Sequence, residues 1–155
     1  MTEERSSSYF AYGTLLGKAA MQDYCPSAEP VDVARYPGHR LEFRQYSDDP
    51  ARCGCHVGRS DDDLYGVVYA LSDADMARLD EASGVGKGWF RRIPISVTTL
   101  DGRRLETTTY ELVDPGAAQW PSADYVGLVR AGAQSAGLPD AYREQLLRFL
   151  DERPS

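Results

Sequence analysis

Two stretches of this chain gather the groups that could handle protons or hold a ligand. Leu79-Asp80-Glu81-Ala82-Ser83-Gly84-Val85 ends a helical pattern in a glycine loop and carries two carboxylates and a hydroxyl. A carboxylate placed there can take a proton from a nucleophile and return it to a leaving group, acting as base and then as acid. Ser83 has no neighbouring base, so its hydroxyl is limited to donating a hydrogen bond or positioning a water. The other stretch, Tyr9-Phe10-Ala11-Tyr12-Gly13-Thr14-Leu15-Leu16, is a short aromatic strand running into a glycine turn.

Other reactive residue types fall in less productive patterns. Cys53-Gly54-Cys55-His56 offers soft ligands. His39 and Cys25 are distant, so four zinc ligands are not completed and the segment, over 53–57, reads as a short strand or structural bend. Asp61-Asp62-Asp63 lacks the spaced oxygens of a calcium loop and reads as a solvated turn. Arg91 and Arg92 adjoin on an expected strand, where only one of two neighbours can face a pocket and meet an anion. Neither histidine stands in a recognisable nucleophile context. No metal site and no cofactor are expected.

The elements that position these residues can be read from hydrophobic period and turn chemistry. A chain of 155 residues is expected to form one domain, over 9–153, with residues 1–8 as a flexible lead-in. That length buries a core without disulfides or metal. A net charge of −7 argues against nucleic acid or an anionic membrane as partner. Three cysteines and a polar N-terminus without a signal-peptide pattern point to free thiols in a reducing cytoplasm.

Strands are expected over 9–12, 31–36 and 39–46, the last two flanking a Pro37-Gly38 turn. A short helix over 15–24 takes Thr14 as its cap. A further strand over 64–71 is apolar enough to be buried on both faces. Ser72 caps a helix that buries Met76 and Leu79, and Gly84, Gly86 and Gly88 open it into a loop. Strands over 89–100 and 105–113 form a hairpin around Asp101-Gly102. Ser122 caps a helix with a Tyr125, Leu128, Val129 stripe. A last helix over 140–152 buries Tyr142, Leu146 and Phe149. The fold class is α+β, and a small mixed β-barrel packed by helices fits the pattern.

Several motifs in order carry a family likeness: Tyr12-Gly13-Thr14-Leu15, Gly66-Val67-Val68-Tyr69, Leu79-Asp80 with Gly84-Val85, then Gly88, Phe90 and Arg91, and finally Tyr125, Gly132, Gly137-Leu138-Pro139 and Tyr142. The chain thereby resembles the γ-glutamylcyclotransferase-like family, which takes in the AIG2-like proteins and the γ-glutamylamine cyclotransferases. The resemblance implies that family's fold and a cofactor-independent release of 5-oxoproline from a γ-glutamyl amide or amine, by attack of the substrate's own α-amine on its γ-carbonyl. It implies that the amides of Gly13, Thr14 and Leu15 cradle a substrate oxygen, and that Tyr12, Tyr110 and Tyr125 wall the pocket. It places Phe90 where a phenol is often found. It also puts Ser83 where the family carries its catalytic glutamate, leaving Glu81 as the favoured catalytic carboxylate and Asp80 as a capping or pairing residue. A divergent, biosynthetic reaction in the same pocket and a non-catalytic binding module are the alternatives. The partner is a small γ-glutamyl or related amine compound, and the chain is expected to be a monomer or homodimer.

Overall fold

The computed structural model describes residues 4–49 and 51–154. Ser7 and Ser8 of the expected lead-in already belong to the first strand, and residues 1–3 lie outside the described residues. Five strands and four helices follow in order: β1 (Ser7–Ala11), α1 (Lys18–Tyr24), β2 (Glu29–Gln45), β3 (Cys53–Leu71), α2 (Asp73–Ser83), β4 (Phe90–Thr99), β5 (Arg104–Leu112), α3 (Ala123–Ser135) and α4 (Asp140–Asp151). The chain is α+β, as its pattern indicates.

The strands make one sheet in the order β1-β3-β2-β4-β5, and every ladder is antiparallel. The sheet is therefore not mixed, and its backbone ladder does not close into a barrel. Its two outer strands nevertheless meet through side chains. The Thr108 hydroxyl donates to the Ser8 carbonyl at 2.6 Å and the Thr109 hydroxyl to the Phe10 carbonyl at 2.8 Å. The Ser8 and Thr107 hydroxyls lie 2.6 Å apart. Three threonines in β5 thus stand in for a ladder, two of them satisfying edge carbonyls that a strand otherwise leaves to water.

β2 and β3 form a long hairpin that absorbs what the sequence punctuates as separate pieces. Pro37-Gly38 is not a turn; it sits at a register shift between Pro37 and His39, with Gly38 at φ 76°. A bulge accommodates both residues, because proline lacks the ladder donor and glycine accepts a positive φ. Asp61–Asp63 likewise belong to β3, exposed, with Asp63 paired to Arg35 at 3.6 Å. Cys53 to His56 is the start of the same strand, the strand alternative of the two that the sequence leaves open. β4 joins β2 only at Ala34 and Arg35. Just before Val67, the ladder partner of Ala11, Gly66 lies against the Ala11 carbonyl and the Phe10 ring.

Helix boundaries differ from expectation where a turn competes. α1 begins at Lys18, and Thr14 does not cap it; the Leu16 amide donates to the Gly13 carbonyl at 3.2 Å and closes a turn first. On α3 the buried stripe is Val126, Val129, Gly132 and Ala133, and Leu128 is half exposed. Gly132 sets that face: a Cβ there would fall 2.6 Å from Leu16 Cβ, so the helix turns its smallest residue toward the chain leaving the first turn. On α4 the fully buried positions are Leu146 and Leu150, with Tyr142 and Phe149 half-buried beside them.

α2 is capped as expected, with the Asp75 amide donating to Ser72 Oγ at 3.1 Å. Asp75 itself is buried and accepts from the Ser27 amide at 2.8 Å and the Ser27 hydroxyl at 2.5 Å, with Arg78 at 3.0 Å. Burial alone would raise its pKa, but the two Ser27 bonds and Arg78 together hold the carboxyl below its ordinary value. Its contribution is therefore complete above the unfolded carboxyl pKa and is lost as pH falls through the depressed folded one. Asp75→Asn is expected to cost about 1–3 kcal/mol at neutral pH, the penalty for a broken buried hydrogen-bond set. Chemical denaturation at pH 7 and pH 3 should show the gap to wild type narrowing in acid; a constant gap would assign the loss to packing alone.

Candidate functional site

A cavity of about 190 Å³ opens where the turn after β1, the C-terminal end of α2, β4, β5 and the first turn of α3 meet. Eight residues singled out from the sequence line it: Tyr12, Gly13, Thr14, Leu15, Ser83, Phe90, Tyr110 and Tyr125. It is smaller than the roughly 300–1,000 Å³ of a drug-sized ligand pocket, so it suits a compact group.

Each wall is fixed by hydrogen bonds, several of them between lining residues themselves. The first turn is held from below by the Tyr69 hydroxyl, which donates to the Leu16 carbonyl at 2.8 Å. Tyr12 reaches across the sheet to the Tyr110 carbonyl at 3.1 Å. Ser122 caps α3 by accepting from the Tyr125 amide at 3.2 Å. The Tyr125 hydroxyl then accepts from the Cys55 amide at 2.9 Å and donates to Cys55 Sγ at 3.3 Å. Ser83 is half-buried as the last residue of α2, and Gly84 ends the helix in the left-handed region at φ 84°.

The two candidate carboxylates are placed differently from each other. Two residues on a helix are separated by about 200°, so Glu81 and Ser83 point to nearly opposite sides. Glu81 is exposed and does not line the cavity. Asp80 lies one turn before Ser83 on the same face and is engaged: it accepts from the Tyr110 hydroxyl at 2.6 Å and faces Arg92 at 3.5 Å. It is thus a pairing residue, as its position at the helix body suggests. Arg91 binds Glu111 at 2.8 Å, and neither arginine lines the cavity.

Sequence reasoning missed several walls. Tyr9, Tyr24, Tyr46, Gly54 and Cys55 all contribute. Cys55 was legible only as a possible metal ligand, yet its sulfur sits against the first turn: a Cβ on Gly13 would fall 2.5 Å from it. Strand alternation sets Cys55 and His56 on opposite faces, and the His56 ring accepts from the Leu112 amide at 3.1 Å. The Cys53 thiol donates to the Gln119 carbonyl at 2.8 Å. The cluster that looked metal-like in sequence therefore does not converge.

Burial governs the electrostatics. It pushes the Tyr9, Tyr12, Tyr110 and Tyr125 phenols well above their ordinary pKa, so all four stay protonated at neutral pH. It also pushes the Cys55 thiol up to about 11, although the Tyr125 hydroxyl and Thr14 amide bonds act in the opposite sense. The lining is therefore neutral, with the Tyr12, Tyr110 and Tyr125 protons already given to the Tyr110 carbonyl, Asp80 and Cys55 Sγ, and among the described residues it contains no carboxylate. Such a cavity can hold a compact polar group and stabilise an oxyanion; a proton acceptor must come from behind the wall.

A larger cleft of about 520 Å³ lies between β2, residues 118–120 and α4, floored by Phe43, Trp120 and Phe149. It contains neither the glycine turn nor any residue of the α2 end, so the smaller cavity is the candidate site.

Residues 63–146 match the model of the AIG2-like family. The γ-glutamylcyclotransferase of Homo sapiens is 30% identical over 150 residues, covering 93% of this chain and 79% of the human protein. That of Mus musculus is 31% identical over 144 residues, covering 89% and 76%. A solved γ-glutamyl cyclotransferase structure superposes with a TM-score of 0.83 at 28% identity, over 91% of this chain and 86% of the other. No helix among the described residues is long and apolar enough to cross a membrane. The shared sequence, the shared fold and the ordered motifs make this chain a member of the γ-glutamylcyclotransferase-like, AIG2-like family.

Proposed function

We propose that the cavity binds the glutamyl part of a small γ-glutamyl amide or amine and releases 5-oxoproline from it. The α-amine of the bound substrate attacks its own γ-carbonyl, so nucleophile and electrophile arrive in one molecule and the protein need only hold a reactive conformer. The observation that carries this reading is the convergence of the Gly13–Leu15 turn, Ser83, Tyr110 and Tyr125 on one compact cavity. The amides of the glycine turn and the Ser83 hydroxyl would supply donors for the oxyanion of the tetrahedral intermediate. No step calls for a cofactor, and the chemistry is that of a cytoplasmic enzyme acting on a small metabolite.

A second reading draws on the carboxylate-free lining. If Ser83 stands where the family carries its glutamate, as the sequence resemblance implies, and with Glu81 exposed outside the lining, the pocket would serve a different reaction on an amine-bearing substrate, or binding alone.

Both are separated by one assay. Purified protein and its Ser83→Glu variant are incubated with γ-glutamyl dipeptides, γ-glutamyl amines and glutathione, and 5-oxoproline is measured by mass spectrometry. Product from wild type is the expected result. Product only from Ser83→Glu would favour the second reading, with the pocket intact and its reaction diverted. Glu81→Gln in the same assay tests Glu81 as base; from its exposed position, retained turnover is expected.

A further inference from the structure

The lining leaves the cyclisation without an obvious base, and the structure holds a carboxylate one step behind the wall. Resting on the cyclisation reading above, we propose that Asp80 is a positioning and proton-accepting residue that acts on the substrate through the Tyr110 hydroxyl. Tyr110 lines the cavity and is almost wholly buried, whereas Asp80 is outside the lining. The phenol donates to Asp80 Oδ1 at 2.6 Å, a short charge-assisted bond along which a proton can pass. Arg92 meets the other oxygen, Oδ2, at 3.5 Å, which orients the carboxylate and leaves Oδ1 to the phenol.

The rest of the wall keeps the phenol in place. The Tyr110 ring packs on Tyr9 with centroids 5.4 Å apart, and its carbonyl is bonded by Tyr12. Asp80 and Ser83 share one face of α2, a single turn apart. Tyr110 and Ser83 both line the cavity, so the phenol links Asp80 to the wall to which Ser83 belongs. Tyr110 is held protonated by burial and by its bond to Asp80, so it cannot act as a base by itself. It must give up one proton as it receives another.

The step balances without any further reactant. As the neutral α-amine forms its bond to the γ-carbon, the carbonyl pair moves to oxygen. The amine proton passes to Tyr110 Oη, and the Tyr110 proton passes to Asp80 Oδ1. On collapse the oxyanion re-forms the carbonyl and the bond to the leaving nitrogen breaks. That nitrogen takes its proton from Tyr110, and Asp80 returns one to the phenol. Asp80 and Tyr110 end as they began.

A purely structural tether between α2 and β5 would use the same bond, so the test must separate the two. Steady-state kinetics on a γ-glutamyl amide are compared for wild type, Asp80→Asn, Asp80→Glu and Tyr110→Phe, with thermal midpoints recorded for each. Asp80→Asn and Tyr110→Phe are expected to lower kcat by about 100-fold or more, the low end for a positioned general base, with KM within a few-fold of wild type. Asp80→Glu is expected to recover at least about a tenth of the wild-type kcat. Tyr110→Phe keeps the ring packing and so reads the relay even if Asp80→Asn folds poorly. A kcat near wild type in Tyr110→Phe, or an effect confined to KM and thermal midpoint, overturns the relay and leaves the cyclisation reading standing. Absence of 5-oxoproline from wild type overturns both.

Discussion

Gly66→Ala is expected to destabilise the protein by about 3 kcal/mol, the upper part of the usual range for overpacking. A Cβ at this position would lie 2.3 Å from the Ala11 carbonyl oxygen and 2.8 Å from the Phe10 ring. Neither neighbour is free to retreat. Ala11 is paired with Val67 in the β1–β3 ladder, and the Phe10 carbonyl is bonded by Thr109. Relief would require β1 to lift from β3 and part from β5 together. Gly86→Ala is the matched control, because a Cβ there meets nothing within 4 Å. Chemical denaturation of both variants checks the expectation. Equal midpoints would mean that β1 moves aside at little cost.

Gly13→Ala is expected to reduce turnover of a γ-glutamyl substrate by about two orders of magnitude with much less loss of stability. The added carbon would sit 2.5 Å from Cys55 Sγ and 3.3 Å from Cys55 Cβ. The turn must shift outward, and a displacement near 1 Å in a positioning element costs about this much in rate. Removing the sulfur should give the turn back its place, so Gly13→Ala with Cys55→Ala is expected to recover much of the activity. The double-mutant cycle is the measurement: the pair should show strong coupling, as contacting residues do. Additive losses would mean that the turn tolerates a side chain and that Cys55 acts independently.

The two stretches richest in chemistry were legible because their signals are local. A glycine after an aromatic strand and a glycine after a capped helix mark chain reversals wherever they occur, and Tyr12–Leu15 and Ser83 do reach the cavity. The long hairpin was not legible. Pro37-Gly38 and Asp61–Asp63 have turn chemistry, but pairing from Glu29 to Gln45 with Cys53 to Ala70 outweighs it. The orientation of Leu128 was lost for a related reason: Gly132 packs against Leu16 and rotates the buried face of α3 toward the smallest side chains. Cys55 and the Asp80–Tyr110 bond escaped because each joins segments far apart in the chain, and spacing along a sequence carries no sign of what faces it across a sheet.

The threonine seam between the first and fifth strands also sets an order of assembly. The chain is made from its N-terminus, and β1 emerges long before either neighbour. It gains its backbone partner when residues 67–71 appear, and its second edge is secured only when Thr107, Thr108 and Thr109 follow. Contacts of such sequence separation are slow to form because the intervening loop must be closed first. Tyr125 is made later still. The glycine turn at the end of β1 thus waits through most of synthesis for its surroundings. The cavity is a product of the nearly complete chain, and ligand binding by it reports that the whole sheet has been fastened.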